Sequence, residues 1–95
     1  MFVRVWEYDV LPAHAAESER TYRGDGAWAQ MFRRVEGFVG TELFRSAETP
    51  GRYLTVDRFV TEKSWLDFRR DHATDYQRLD EQCAGLTAAE REVMP

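Results

Sequence analysis

Large apolar and polar side chains alternate along Phe2–Val10. Phe2, Arg4, Trp6, Tyr8 and Val10 share one face, and Val3, Val5, Glu7 and Asp9 the other. A period of two predicts a strand. Because each face holds large apolar groups, neither is wholly solvated. Pro12 ends the strand, since it cannot continue a ladder. Ala13–Tyr22 is helical in composition, and Gly24-Asp25-Gly26 interrupts it. Asp25 is placed to cap a second helix over Ala27–Glu36, where Trp28, Met31, Phe32 and Val35 recur at helical spacing and Gly37 serves as the C-terminal cap. The break near residue 24 reads either as a kink that lets the chain follow a sheet or as a flap over a pocket.

Alternation returns in Val39–Ser46 and in Arg52–Val60, where Tyr53, Thr55, Asp57 and Phe59 oppose Leu54, Val56, Arg58 and Val60. Between them Thr49-Pro50-Gly51 suits a type II turn, so the two strands form an antiparallel hairpin. The period then changes. Trp65, Phe68, His72, Tyr76, Leu79 and Cys83 fall on one helical face, opposite Lys63, Asp67, Arg70, Asp71, Thr74, Arg78 and Glu81. Thr61 caps this helix, Val60 and Trp65 are spaced for a hydrophobic staple, and Gly85 ends it after Cys83 or Ala84. Thr87-Ala88-Ala89-Glu90 has a capping-box pattern that suits a short helical turn, which leaves at most a stub of a fourth strand in Arg91–Pro95.

The order β, α, β, β, α is the split βαβ, ferredoxin-like arrangement: an α+β fold with both helices on one face of an antiparallel sheet and a short or vestigial fourth strand. The 95 residues make one domain, 1–95. The other sheet face would be bare in a monomer, so a homodimer packed through that open face is expected.

Composition narrows the function classes. The net charge of −4 and scattered arginines give no basic patch, so no nucleic-acid partner is expected. A single cysteine, Cys83, precludes an internal disulfide and fits a reducing compartment. The N-terminus is too charged for a signal peptide, and no run is long enough to span a bilayer, so the expected location is cytoplasmic, with no membrane partner. There is no GxGxxG, P-loop, GxSxG or His/Cys cluster, so neither a cofactor nor a metal is expected.

Glu36-Gly37-Phe38-Val39-Gly40-Thr41-Glu42-Leu43, then Arg52-Tyr53-Leu54-Thr55-Val56-Asp57, then Thr61-Glu62-Lys63-Ser64-Trp65-Leu66-Asp67-Phe68, resembles the antibiotic biosynthesis monooxygenase family over roughly residues 2–80. The resemblance implies a dimeric α+β barrel. The family includes cofactor-free oxygenases of polycyclic phenols and quinols and haem-degrading enzymes. The haem-degrading branch uses an Asn on the first strand, whereas this chain contains no Asn; Trp6 or Glu7 stands at that position. Haem degradation by that constellation is therefore disfavoured, and haem binding by His72 alone stays open.

Cofactor-free oxygenation needs a dry pocket, a base near neutrality and a group that steadies an anion. His72 and Tyr76, one turn apart on the apolar stripe, are the candidate catalytic pair. Arg58 or Arg4 could steady a phenolate. Trp6, Tyr8, Trp28, Phe32, Trp65 and Phe68 are candidate walls for a small aromatic ligand. Set against this, a His in a helical stripe is more often packed than catalytic, and the same aromatics at helical spacing describe an ordinary core. The chain thus reads either as a cofactor-independent monooxygenase of an aromatic or quinol-type substrate, or as a non-catalytic dimeric module that binds a hydrophobic ligand or a partner.

Overall fold

The computed structural model describes residues 1–94. Strand β1 (Phe2–Val10) is followed by a 3-10 turn at Pro12–His14 and helices α1 (Ala15–Tyr22) and α2 (Ala27–Phe32). Strands β2 (Phe38–Arg45) and β3 (Arg52–Phe59) form the hairpin, then come helices α3 (Glu62–Asp71) and α4 (Ala73–Cys83) and strand β4 (Thr87–Met94). The sheet order is β2-β3-β1-β4, with every pairing antiparallel. This is the ferredoxin-like α+β arrangement expected from the order of elements.

Local chemistry explains the hairpin. Gly51 has φ +80°, and Arg52 donates its amide to the Thr49 carbonyl at 3.2 Å, closing the type II turn that Pro50 presets. Thr61 caps α3 by accepting the Ser64 amide at 3.2 Å. Gly37 is needed for close approach instead of as a helix cap: a Cβ there would come within 2.0 Å of Ser64 Oγ, so α3 could not start where it does.

Four sequence expectations are corrected. Helix α2 stops at Phe32, and residues 33–37 form turns. Asp25 does not cap α2, whose N-cap is Gly26; its carboxylate instead pairs with Arg23 at 2.6 Å. The long stripe is two helices, not one. His72 leaves helical geometry at φ −123°, ψ 28°, and the chain bends there. The bend sets Trp65 and Phe68 against Phe59 and Phe32, and Tyr76 against Trp28. Finally, Thr87 starts no helical turn. The C-terminal segment is an eight-residue strand, because β1 has a free edge whose backbone groups Thr87–Met94 can satisfy.

The core lies between sheet and helices. Phe59 and Phe68 are fully buried, and Phe32 meets Phe59, Phe68 and Trp65 edge-on at 5.0–6.1 Å between ring centroids. Val60, expected to staple Trp65, is 56% exposed, and Trp65 packs among Phe32, Phe59 and Phe68. The outer face of the sheet is uncovered. It carries Phe44 and Val93, both half-exposed, beside the partly buried Leu54 and Val56. It also carries an ion network in which Arg52 and Arg91 bridge Glu7 and Asp9 at 2.9–3.2 Å.

Candidate functional site

The inner face of the sheet is built from alternate residues of each strand. Register places Arg4 opposite Asp57, and Asp57 opposite Thr41, so three polar side chains form a row across β1, β3 and β2. The next row pairs Trp6 with Thr55, and the next Tyr8 with Tyr53. Arg4, Thr41, Thr55 and Asp57 are all buried. Polar groups in such a place must be paired or face a ligand.

Most are paired. The Thr41 hydroxyl donates to Asp57 Oδ1 at 2.6 Å. Arg4 Nε donates to Glu92 Oε2 at 2.8 Å, and its guanidinium lies 4.0 Å from the Trp65 ring centroid. Tyr8 and Thr55 share a hydrogen bond of 3.1 Å. Burial pushes the phenols of Tyr8 and Tyr22 far above their ordinary range, so both stay neutral. Burial likewise raises Asp57, against the pull of the Thr41 hydroxyl and the Arg4 charge, to about 6. Asp57 is thus a carboxylate poised just below neutrality.

These groups surround a cavity between sheet and helices. Trp6, Tyr22, Trp28, Phe32 and Tyr76 supply its apolar walls, and Arg4, Tyr8, Thr41, Thr55 and Asp57 its polar floor. Asp80 and Glu90 also reach it. The cavity is small, with a free volume of only about 40 Å³. An aromatic ligand therefore has to displace wall side chains. Trp6 and Tyr76 are the two wall side chains that are only partly buried.

Of the residues singled out from sequence, Trp6, Trp28, Phe32 and Tyr76 come together on the wall. Trp65 and Phe68 lie behind it in the core, where Trp65 supports Arg4. His72 sits at the α3–α4 bend, stacked on Phe68 at 5.3 Å, and is not among the lining residues. Arg58 lies on the outer face, paired with Glu42, so of the two arginines considered it is Arg4 that meets the cavity. Sequence reading missed Asp57. Its signal was an Asp, a residue depleted in strands, on the same face as Tyr53 and Phe59. Glu90 and Glu92 were missed because β4 was expected to be a stub.

Among the described residues, no three His, Cys, Asp or Glu side chains are grouped to hold a metal ion, and no helix is long and apolar enough to cross a membrane. The family model for antibiotic biosynthesis monooxygenases matches residues 1–79, and the chain belongs to that family. No curated protein matches the sequence. Among solved structures, a protein of Bordetella bronchiseptica bearing the same family name has a TM-score of 0.71 at 26% identity, over 95% of this chain and 89% of that one. SnoaB from Streptomyces nogalater, a cofactor-independent oxygenase, has a TM-score of 0.69 at 23% identity, over 95% and 85%. A protein of Nitrosomonas europaea, again bearing the family name, has 0.66 at 16% identity, over 100% and 96%. The last two likenesses carry the fold alone.

Proposed function

We propose that this chain is a cofactor-independent monooxygenase that oxidises an electron-rich phenol or quinol in the cavity between sheet and helices. The observation that carries the reading is Asp57: a buried carboxylate with its pKa raised to about 6, under aromatic walls and beside a buried arginine. Asp57 takes the substrate's hydroxyl proton, and Arg4 steadies the resulting phenolate. Tyr76 donates a hydrogen bond to a substrate oxygen, and Trp6, Trp28 and Phe32 hold the ring. The electron-rich anion then reduces dioxygen directly. One oxygen atom becomes a new ring carbonyl. The other leaves as water with the hydroxyl hydrogen and the hydrogen of the attacked carbon. The ring loses four electrons and dioxygen gains four.

Asp57 takes the role of base in this reading in place of His72, because it lies on the cavity floor and His72 does not line the cavity. A homodimer formed through the outer sheet face belongs to the same proposal. It is supported by the half-exposed Phe44 and Val93 beside Leu54 and Val56. A cytoplasmic location is supported by the free, buried Cys83.

The test is oxygen uptake with a panel of anthrones and quinols under labelled dioxygen, comparing wild type with Asp57→Asn and His72→Ala. One labelled atom per quinone product, lost with Asp57→Asn and kept with His72→Ala, is expected. Loss with His72→Ala alone would return the base to His72. The narrow free space favours a second reading, a module that binds without turnover. Binding of panel members with no oxygen consumed would establish it. Haemin belongs in the panel, and a spectral shift lost in His72→Ala would identify haem binding.

A further inference from the structure

Helix α4 supplies two of the cavity's lining residues, Tyr76 and Asp80, yet it is loosely held. Cys83 is its one buried residue among those described. The buried Trp28 N–H has no hydrogen-bond partner beyond the Cys83 sulfur, a weak acceptor. Tyr76 packs edge-on against Trp28 at 5.1 Å and lies under the Arg69 guanidinium of α3. The ion pair that ties α4 to the turn after α2, Arg34 with Asp75 at 2.7 Å, is exposed at both ends and so adds little. A helix with so few buried contacts belongs to the least stable part of a fold.

Regular structure also breaks at both ends of α4. At its start the backbone of His72, at φ −123° and ψ 28°, leaves helical geometry, while the imidazole stays stacked on Phe68 of α3. At its far end Gly85 stands in open space ahead of β4.

Beside α4 there is room for it to move into. An open groove with a free volume of about 380 Å³ separates it from α2, with Ala27 and Met31 on one side and Leu79 and Gln82 on the other. The cavity under α4, at about 40 Å³, admits no aromatic ring. On a helix of 3.6 residues per turn, the face carrying Asp75, Leu79 and Gln82 lies about a third of a turn from the one carrying Tyr76 and Asp80. A shift into the groove therefore also carries Tyr76 and Asp80 away from the cavity. At 1.5 Å per residue, Asp80 and Cys83 stand roughly 12 and 16 Å from His72, and a rotation of about 15° moves them roughly 3–4 Å, about the thickness of a stacked ring.

We propose that α4 is a hinged lid. It pivots on the backbone at His72, moves into the groove beside α2, and opens the cavity to a ring-sized ligand. The core around Phe59 and Phe68 stays packed throughout. The lid serves any ligand that enters, so it does not rest on the phenol-oxidising reading.

Methyl methanethiosulfonate, a small thiol reagent, reads the opening through Cys83, which is buried when the lid is closed. Folded wild type should be labelled, at a rate that changes by less than about twofold between no urea and about 1 M urea. Labelling through global unfolding would instead rise about fivefold over that range, as the urea slope of a small protein dictates. The Ala27→Leu/Gln82→Leu variant fills the groove and should label about tenfold slower, with a urea midpoint no lower than that of wild type. A fivefold rise with urea in wild type, or no labelling of the folded protein, would overturn the lid. An unchanged labelling rate in the folded groove-filled variant would overturn it too. None of these results bears on the phenol reading, because no phenol is used.

Discussion

Thr41 and Asp57 are joined across the β2–β3 ladder by a 2.6 Å hydrogen bond, with the threonine hydroxyl donating to Oδ1. The bond stabilises the carboxylate, yet burial outweighs it and the pKa settles at about 6. Replacing Thr41 by Val removes the donor and keeps the shape. The Asp57 pKa should then rise by a further one unit, roughly, since a hydrogen bond to a charged group contributes about 1.5–3 kcal/mol. Carboxyl-carbon NMR titration of wild type and Thr41→Val reads the shift. An unchanged midpoint would show that the hydroxyl does not set it.

Asp57 also links pH to stability. Its folded pKa, about 6, lies above the ordinary 3.8, so the folded chain holds this proton more tightly than the unfolded one. The associated stability is fully present below about pH 4, fades as pH rises through about 6, and is absent above that. Asp57→Asn, which mimics the neutral acid, should therefore be more stable than wild type at pH 8, by up to about 3 kcal/mol. The two should converge near pH 4. Urea denaturation at both pH values measures the gap, and a gap independent of pH would contradict the assignment.

Glu92 holds Arg4 from β4. Glu92→Gln leaves a buried guanidinium with a weaker partner and should cost about 1–2 kcal/mol of stability. In the proposed mechanism Arg4 steadies the anion and Glu92 only positions it, so kcat should fall by roughly tenfold with little change in KM. A rise in KM alone would mean that Arg4 serves substrate binding instead.

Phe32 meets five aromatic neighbours, among them the fully buried Phe59 and Phe68. Phe32→Ala should destabilise the domain by about 3–5 kcal/mol. A loss under 1 kcal/mol in denaturant titration would mean that the wall collapses readily around the gap.

The pattern of periods made the fold legible: the alternation in β1, the Thr49–Gly51 turn and the Thr61 cap each act locally, and the structure retains all three. What the pattern missed depends on tertiary context. The stripe from Trp65 to Cys83 has unbroken helical spacing, so nothing in it marks the bend at His72, which fits two helices to a twisted sheet. Strand β4 contains two alanines and two glutamates, poor strand formers, and exists because the β1 edge is there to pair with. Four of the five aromatic wall residues, Trp6, Trp28, Phe32 and Tyr76, were visible in the strand and helix spacing. Of the floor, Tyr8 and, as one of two arginines, Arg4 were named; Thr41, Thr55 and Asp57 were not, because strand register and the choice between Arg4 and Arg58 are settled only when the sheet assembles.

The central claim is that Asp57, ionised, is the base. The most direct measurement is the pH dependence of kcat/KM for oxygen uptake with the best quinol, between pH 4.5 and 8.5. Wild type should show one acid limb with its midpoint at about 6, a plateau above it, and a midpoint that moves upward in Thr41→Val. Asp57→Asn should be inactive across the range. A limb that persists in Asp57→Asn and disappears in His72→Ala would contradict the account.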